Sequence, residues 1–422
     1  MNLKKIIPGF FTALYFIILF LPPIPDLVLD INTFRLYVFS IINTIALAYI
    51  LSDDSLSSAI SKVIKDKLSL IILAFIFWGL LSYTYAFNKT EVIVRIFTFI
   101  NFYLTYITIS VFIKNFSFKQ ICSFISLILV AQLSFSIYAL DVTTAVRAYD
   151  FDLNSKLTGV FPNRNITAAL YLVQLPFLIY LILKLKNNFI KLVLFILSIV
   201  VVYILFLLAS RTSYVIIAGL LILNLIFFML FKRTSKSFFK SFSGYLTLTI
   251  ILGYISASLF LGSQNTANPI NRVQSMFVEE ESSSTRIRYY TFGVKDFIAN
   301  PIIGYGLGNF KIISIERDRE NIRSYTIPYV MHNDFLEVAV ELGIIGLTLF
   351  LLIFIYPIYH LIRRTKIKNL KTEHLVLLSI IFVYVVDSNL NFPFTRSASL
   401  LYLALILGMF NNYLNPMSDE NN

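Results

Sequence analysis

Arg211, Arg286, Arg288 and His332 are the residues whose types and spacing suit them to a charged reaction. A guanidinium offers a rigid planar fork of N–H donors to phosphate or carboxylate, where a lysine offers a point charge. An unperturbed imidazole titrates near pH 6.5, so His332 can exchange a proton near neutrality without special tuning. Asn333 follows it directly, before an apolar run that contains Glu337, Glu341, Gly343 and Gly346. The two glutamates share one helical face, and acids inside an apolar run need partners, which Arg95 or the arginines above can supply. Together these types could hold a polyanion and move a proton. Each also has a plainer reading: arginines that snorkel to headgroups, solvated charge on an exposed helix, acids that hold a bundle together.

Composition says what must carry these residues. Of 422 residues 58% are hydrophobic and 14% charged, and the mean hydropathy is +0.78. A soluble domain carries about 25% charged residues, so this chain cannot cover a water-facing surface and is a membrane protein. Apolar blocks of spanning length, bounded by charge, Pro or Asn, number about twelve: 7–23, 34–52, 68–86, 92–113, 119–140, 166–184, 189–209, 212–231, 243–262, 334–358, 375–392 and 397–414. The expected fold is all-α and polytopic, with residues 1–262 forming spans one to nine. Residues 263–333 form one large external loop, and 334–422 the last three spans with a short tail. The single cysteine, Cys122, excludes an intramolecular disulfide and a cysteine-built metal site. Asp150 and Asp152 have no histidine beside them, and no metal or cofactor is expected.

Basic residues set the expected orientation. With the N-terminus inside, nineteen of the 35 Lys and Arg fall in cytoplasmic segments, eight in the 263–333 loop and eight elsewhere. Both termini are then cytoplasmic, and the net charge of +12 reports topology rather than nucleic-acid binding. The inside set is mostly Lys and the outside set mostly Arg. His332 becomes the only external histidine, since His360 and His374 flank a cytoplasmic loop. Within the large loop, Ile287, Tyr290, Val294, Phe297 and Ile298 recur at helical spacing, which predicts an amphipathic helix over 285–299 lying on the membrane or the bundle. Asn300-Pro301 ends it. The following run Gly304-Tyr305-Gly306-Leu307-Gly308 has no strand–turn–helix unit around it and reads as a close-packing turn, not a nucleotide loop.

His332-Asn333, nine residues, then Gly343-Ile344-Ile345-Gly346 at the head of a helix resembles the signature of the O-antigen ligase and O-antigen polymerase superfamily, bacterial membrane glycosyltransferases. Ser210-Arg211-Thr212, Arg286 followed by Phe297, Asn300, Pro301 and the glycine run, and Gly159 with Asn163 and Asn165 are similar to the same pattern. Leu347 departs from the Thr, Val or Ser that tends to follow the last glycine in ligases, and Arg288 precedes Gly304 at a spacing that resembles an arginine motif of the polymerases. The resemblance implies a GT-C-like membrane fold. It also implies a donor, a glycan on undecaprenyl pyrophosphate, and an acceptor hydroxyl on lipid A–core at the outer face of the bacterial inner membrane. A polymerase would use a second lipid-linked glycan as acceptor. Arg211, Arg286 and Arg288 would then bind the donor pyrophosphate, His332 would be catalytic, and Asn333, Glu337, Glu341, Gly343 and Gly346 would support the site. Membrane lipids are the remaining partners, and nucleic acid is not one. A transporter that moves the lipid-linked glycan without chemistry is the reading from a different class; it would place charge in a central cavity between two similar halves.

The orientation is testable: reporters fused after Lys240 and after Lys371 should read cytoplasmic, and one near Thr266 external. A cytoplasmic reading at Thr266 would overturn the assignment of the site to the outer face.

Overall fold

The computed structural model describes residues 3–21, 30–231, 237–263, 265–278, 280–320, 330–365 and 371–414. Among them there are helices and no strands. In chain order they are α1 (Leu3–Ile17), α2 (Ile31–Ser52), α3 (Asp54–Ile64), α4 (Lys67–Leu81), α5 (Lys89–Phe112), α6 (Phe118–Thr144), α7 (Arg164–Lys184), α8 (Asn188–Leu207), α9 (Arg211–Phe231), α10 (Ser237–Leu261), α11 (Pro269–Val278), α12 (Glu280–Ala299), α13 (Phe310–Arg317), α14 (Asp334–Thr365), α15 (Thr372–Leu390) and α16 (Ser397–Leu414). Ten of these are long and apolar enough to cross a membrane, and shorter apolar helices at Ile6–Phe20 and Ser397–Asn412 occupy the places of the first and last expected spans. The chain is a polytopic, all-helical membrane protein.

α7 is apolar on every side and almost wholly buried, as such a helix must be. α6, α8 and α15 pack round it, while α5 is the centre of a second group with α2, α4 and α16. Some polar residues inside these packings pair across helices: Gln174 Nε2 donates to Gln132 Oε1 at 2.8 Å, and Tyr171 and Ser136 hydroxyls meet at 2.9 Å. α3 was not expected from the sequence, which reads there as a connector. Asp53 caps its first turn by accepting from Leu56 N, and Ala59, Ile60 and Val63 are buried, so a helix too short to span still pays its way by one apolar face.

The element that organises the functional end is α14, because it is broken. Gly343 has φ +65° and ψ −166°, a backbone region open essentially to glycine alone. A break inside an apolar helix strands backbone groups that nothing in lipid can satisfy. Here the glycine run fills the gap. Tyr305 N donates to Val340 O at 3.1 Å, Gly306 N to Glu341 O at 2.8 Å and Trp78 Nε1 to Leu342 O at 3.0 Å, while Ile344 N donates to Pro301 O at 2.8 Å. The approach is close enough that a Cβ on Gly304, φ +71°, would lie 2.5 Å from the carbonyl of Glu341. The close-packing role expected for this run is what the structure shows.

α12 also forms, but its apolar stripe is divided. Tyr290 and Phe297 pack against the cluster of Phe310, Ile313, Met331 and Val340, whereas Ile287, Val294 and Ile298 are exposed. The cause is that the helix approaches its neighbours through Gly293 and buried Asp296 instead; a Cβ on Gly293 would sit 2.5 Å from Met331 Cε.

Gly343→Ala should lower stability in detergent by at least about 3 kcal/mol, since its Cβ would meet Ile302 O at 2.1 Å as well as strain the backbone. Gly262→Ala, with φ +69° but open space around it, should cost only about 1 kcal/mol. Equal losses in thermal melts of the two variants would mean that the interdigitation at Gly343 is not what holds this end together.

Candidate functional site

Three carboxylates on one face of α14 tie three separate segments to it. Asp334 Oδ2 accepts from Phe394 N at 3.3 Å, Glu337 Oε2 from Met331 N at 2.9 Å, and Glu341 Oε1 from Phe310 N at 3.0 Å. All three are buried, and Glu337 Oε1 also faces Arg95 Nη2 at 3.4 Å. The expected partnership of Arg95 with an α14 glutamate is therefore present. Each acid is spent on fixing backbone: the 391–396 turn, the His332 loop and the start of α13.

His332 is held in an unusual conformation. Its φ of +61° is rare for a residue with a Cβ and is sustained only where the surroundings over-determine it. Glu337 fixes the preceding N–H, Tyr290 OH donates to His332 O at 3.0 Å, and Asn333 caps α14 by accepting from Leu336 N at 3.0 Å. The ring stands edge-on to Phe392, centroids 4.9 Å apart, and its Nδ1 is buried with no hydrogen-bond partner among the described residues. Burial, then the charges of Arg286 and Arg396, push its pKa down to about 4. The sequence suggested an untuned histidine; the fold makes it neutral across the physiological range.

Arginines line up beside it. Arg286 Nη1 donates to Leu390 O at 3.2 Å and lies within electrostatic reach of both His332 and Arg211. Arg211 opens α9, next to Ser210, whose hydroxyl donates to Asn165 Oδ1 at 2.8 Å, so two of the sequence motifs touch here. Beyond Arg211 come Arg164, at the first turn of α7, and buried Arg272 on α11, whose pKa falls to about 10 through burial and the nearness of Arg211 and Arg164. On the other side of His332, buried Arg396 stacks 4.0 Å over Phe392, with Nε and Nη1 unpartnered among the described residues. Burial lowers its pKa to about 10, opposed by Asp387 and Asp334.

The structure thus brings Arg211, Arg286 and His332 together but turns Arg288 away. Arg288 Nη2 donates to Asp318 Oδ2 at 2.9 Å and Nε lies 2.9 Å from Oδ1, a forked pair that holds α12 to the end of α13. The two-residue spacing puts it on a different helix face from Arg286. Asn333, Glu337 and Glu341 act on backbone, Gly343 makes the notch, and Gly346 leaves room for Leu342. Arg164, Arg272 and Arg396 were not singled out in the sequence, although the preponderance of Arg over Lys on the expected outer side was their trace. Asp387 accepts from Asn391 Nδ2 at 2.6 Å and both are buried, whereas Asn389 is exposed.

Fold and site define a polytopic membrane protein with a row of arginines leading to one neutral histidine at a single end of the bundle. Residues 195–351 match the family model described as O-Antigen ligase. The chain is 32% identical over 182 residues to a Rickettsia typhi protein named "Putative polysaccharide ligase", and 30% identical over 181 residues to a protein of that name from Rickettsia prowazekii. Each match covers 42% of this chain and 42% of the relative, so the similarity spans less than half the length of either. These matches support the O-antigen ligase superfamily for this chain.

The depressed pKa has a measurable consequence. Between pH 4 and 6.5 the unfolded chain holds a proton on His332 that the folded protein does not, so the stability linked to this residue is complete above pH 6.5 and is lost as pH falls toward 4. His332→Gln should therefore flatten part of the acid-side fall in Tm. An unchanged Tm–pH profile over pH 4–7 would show that the histidine is not desolvated as described.

Proposed function

We propose that the protein is a metal-independent glycosyltransferase of the O-antigen ligase type. It transfers a glycan from undecaprenyl pyrophosphate to an acceptor hydroxyl, that of lipid A–core, at the outer face of the inner membrane, with both termini cytoplasmic. The observation that carries this reading is the placement of a strained, neutral histidine among arginines, with both Arg286 and Arg396 within electrostatic reach of it. Breaking the bond between the anomeric carbon and pyrophosphate oxygen leaves the electron pair, and hence the charge, on the diphosphate. Arg211 and Arg286 are fixed donors for that charge, in place before it develops. The acceptor oxygen bonds to the anomeric carbon and its proton passes to His332, which as a neutral imidazole has an acceptor nitrogen ready.

Electrostatics couples the two roles. Burial is the larger cause of the low pKa of His332 and the charges of Arg286 and Arg396 the smaller; a bound diphosphate would counter those charges and so make the imidazole a stronger base. A polar cavity of about 350 Å³, whose lining includes Glu337, Asp30, Glu91, Arg95, Lys311 and Thr395, offers hydrogen-bonding groups and space for an acceptor sugar.

Arg211→Lys and Arg286→Lys should each lose most transfer activity, because the charge remains but the fork is gone. Arg288→Lys should retain far more. His332→Ala should still bind donor while transfer slows by about 10²–10⁴-fold. In the unmodified enzyme, kcat/KM should stay level from pH 5.5 to 8, with its acid limb near pH 4, and the limb in kcat should lie higher. Wild-type rates in the His332 variant would remove the proposed base. Transfer onto a second lipid-linked glycan, with none onto lipid A–core, would make the enzyme a polymerase.

A further inference from the structure

α12 carries Arg286 to the site at the end of the helix remote from its anchor. Arg286, Tyr290, Gly293 and Phe297 recur at i, i+4, i+7 and i+11, which is one helical face. Tyr290 OH donates to His332 O at 3.0 Å, and a Cβ on Gly293 would sit 2.5 Å from Met331 Cε, so this face meets the His332 loop. The glycine run that locks onto α14 follows the other end of the helix. At 1.5 Å per residue Ala299 is about 20 Å from Arg286, and a helix fixed at one end swings most at the other.

A second flank of α12 faces α13, and there the charges interlock. Arg288 of α12 pairs with Asp318, just past the end of α13, its Nη2 and Nε each 2.9 Å from a carboxylate oxygen. In the opposite sense, Arg317 of α13 donates from Nε at 3.2 Å and from Nη2 at 3.0 Å to Oδ1 of Asp296 on α12. Both carboxylates are buried, and the two cations reach them from the solvent edge. Each partner segment gives one cation and one anion, and the two on α12 lie about 12 Å apart along its axis. A slide of α12 that misaligned one pair would misalign the other and draw like charges together. An exposed ion pair contributes little alone, but two of opposite sense with buried acids specify a register.

α13 backs this contact firmly. Its first residue, Phe310, donates its N–H to Glu341 of α14 at 3.0 Å, Asn309 Oδ1 accepts from Asn88 N at 2.7 Å, and Lys311 Nζ lies 2.5 Å from Glu91 Oε2 on α5. A position fixed on two spans is thus passed through the interlocked charges to a point two residues, about 3 Å along the helix, from Arg286.

We propose that the pairs Arg288–Asp318 and Arg317–Asp296 form a register clamp that sets Arg286 in its place beside His332. The four are positioning residues; they touch neither donor nor acceptor and act through Arg286. Their part in transfer rests on the role of Arg286 proposed above, whereas their hold on α12 does not.

Two measurements on the full-length protein in nanodiscs test the clamp. In a Cys122→Ser background, spin labels at Thr291→Cys on α12 and Thr84→Cys in the turn after α4, both exposed, report the place of α12 by double electron–electron resonance. The intact clamp should give one narrow distance distribution and Arg288→Ala or Arg317→Ala a shifted or broadened one. Arg288→Asp combined with Asp318→Arg should narrow it again. In transfer assays Arg288→Ala should lower kcat/KM by about 10-fold and Arg288→Lys should recover most of that loss. In an Arg286→Ala background, Arg288→Ala should cost nothing further, because the two act as one unit. A distribution unchanged by Arg317→Ala, which removes a half-exposed side chain, would overturn the clamp even if Arg288→Ala fails to insert. Fully additive losses from Arg286→Ala and Arg288→Ala would also overturn it. Wild-type transfer by Arg286→Ala, with the distribution still broadened in the clamp variants, would leave the clamp standing and remove Arg286 from the reaction.

Discussion

Everything at the functional end hangs on the interruption of α14 at Gly343. An apolar medium offers no water to a broken helix, so the stranded carbonyls of Val340, Glu341 and Leu342 must be met by protein. They are met by Tyr305, Gly306 and Trp78, which come from distant parts of the chain. The repair therefore fixes the glycine run and α4 on α14. Tyr85 OH, which donates to Ile303 O at 2.7 Å, and Ser82 Oγ, which accepts from Leu307 N at 3.0 Å, extend the same seam. Once the run is seated, α12 before it and α13 after it have little freedom left, and Arg286 is delivered to its place beside His332.

The buried acids of α14 continue this division of labour. Asp334, Glu337 and Glu341 each accept a backbone N–H, from the 391–396 turn, the His332 loop and the start of α13 respectively, and so tie three separate segments to α14. A positive-φ histidine is stable only in such a frame. The arginine row is the complementary constraint. Arg164, Arg211 and Arg272 disfavour one another's charge, and under the proposed function a bound polyanion would offset that repulsion. Under the proposed function, binding and charge stabilisation in the transition state would draw on the same preorganised donors.

Much of this was legible in the sequence. Apolar blocks located all the spans, because bilayer thickness fixes their length, and the glycine run was readable as a close approach since nothing around it could serve a nucleotide. From the sequence Arg286 and Arg288 carry one expected role, although a two-residue spacing sets them on different helix faces, and Arg288 is instead paired with Asp318. What composition could not reveal was contact between remote segments. Arg164 and Arg272 are 108 positions apart in number and meet only because Phe151 lies between helices α6 and α7 and folds back over them. Nor could the sequence give the pKa of His332, which depends on burial and on two arginines 46 positions before it and 64 after it. The exposed half of the α12 stripe escaped because periodicity marks an apolar face without saying which edge of it meets protein.

The central claim is that the arginine row and His332 form one site for a glycan-bearing diphosphate. The most direct measurement is the structure of the protein with undecaprenyl diphosphate–linked glycan bound, solved with the His332→Ala variant so that the donor survives. The account places the phosphate oxygens within hydrogen-bond distance of Arg211 and Arg286, with the anomeric carbon beside the space left by the imidazole. Density for the diphosphate anywhere else on the protein, with these two guanidiniums bare, would contradict it.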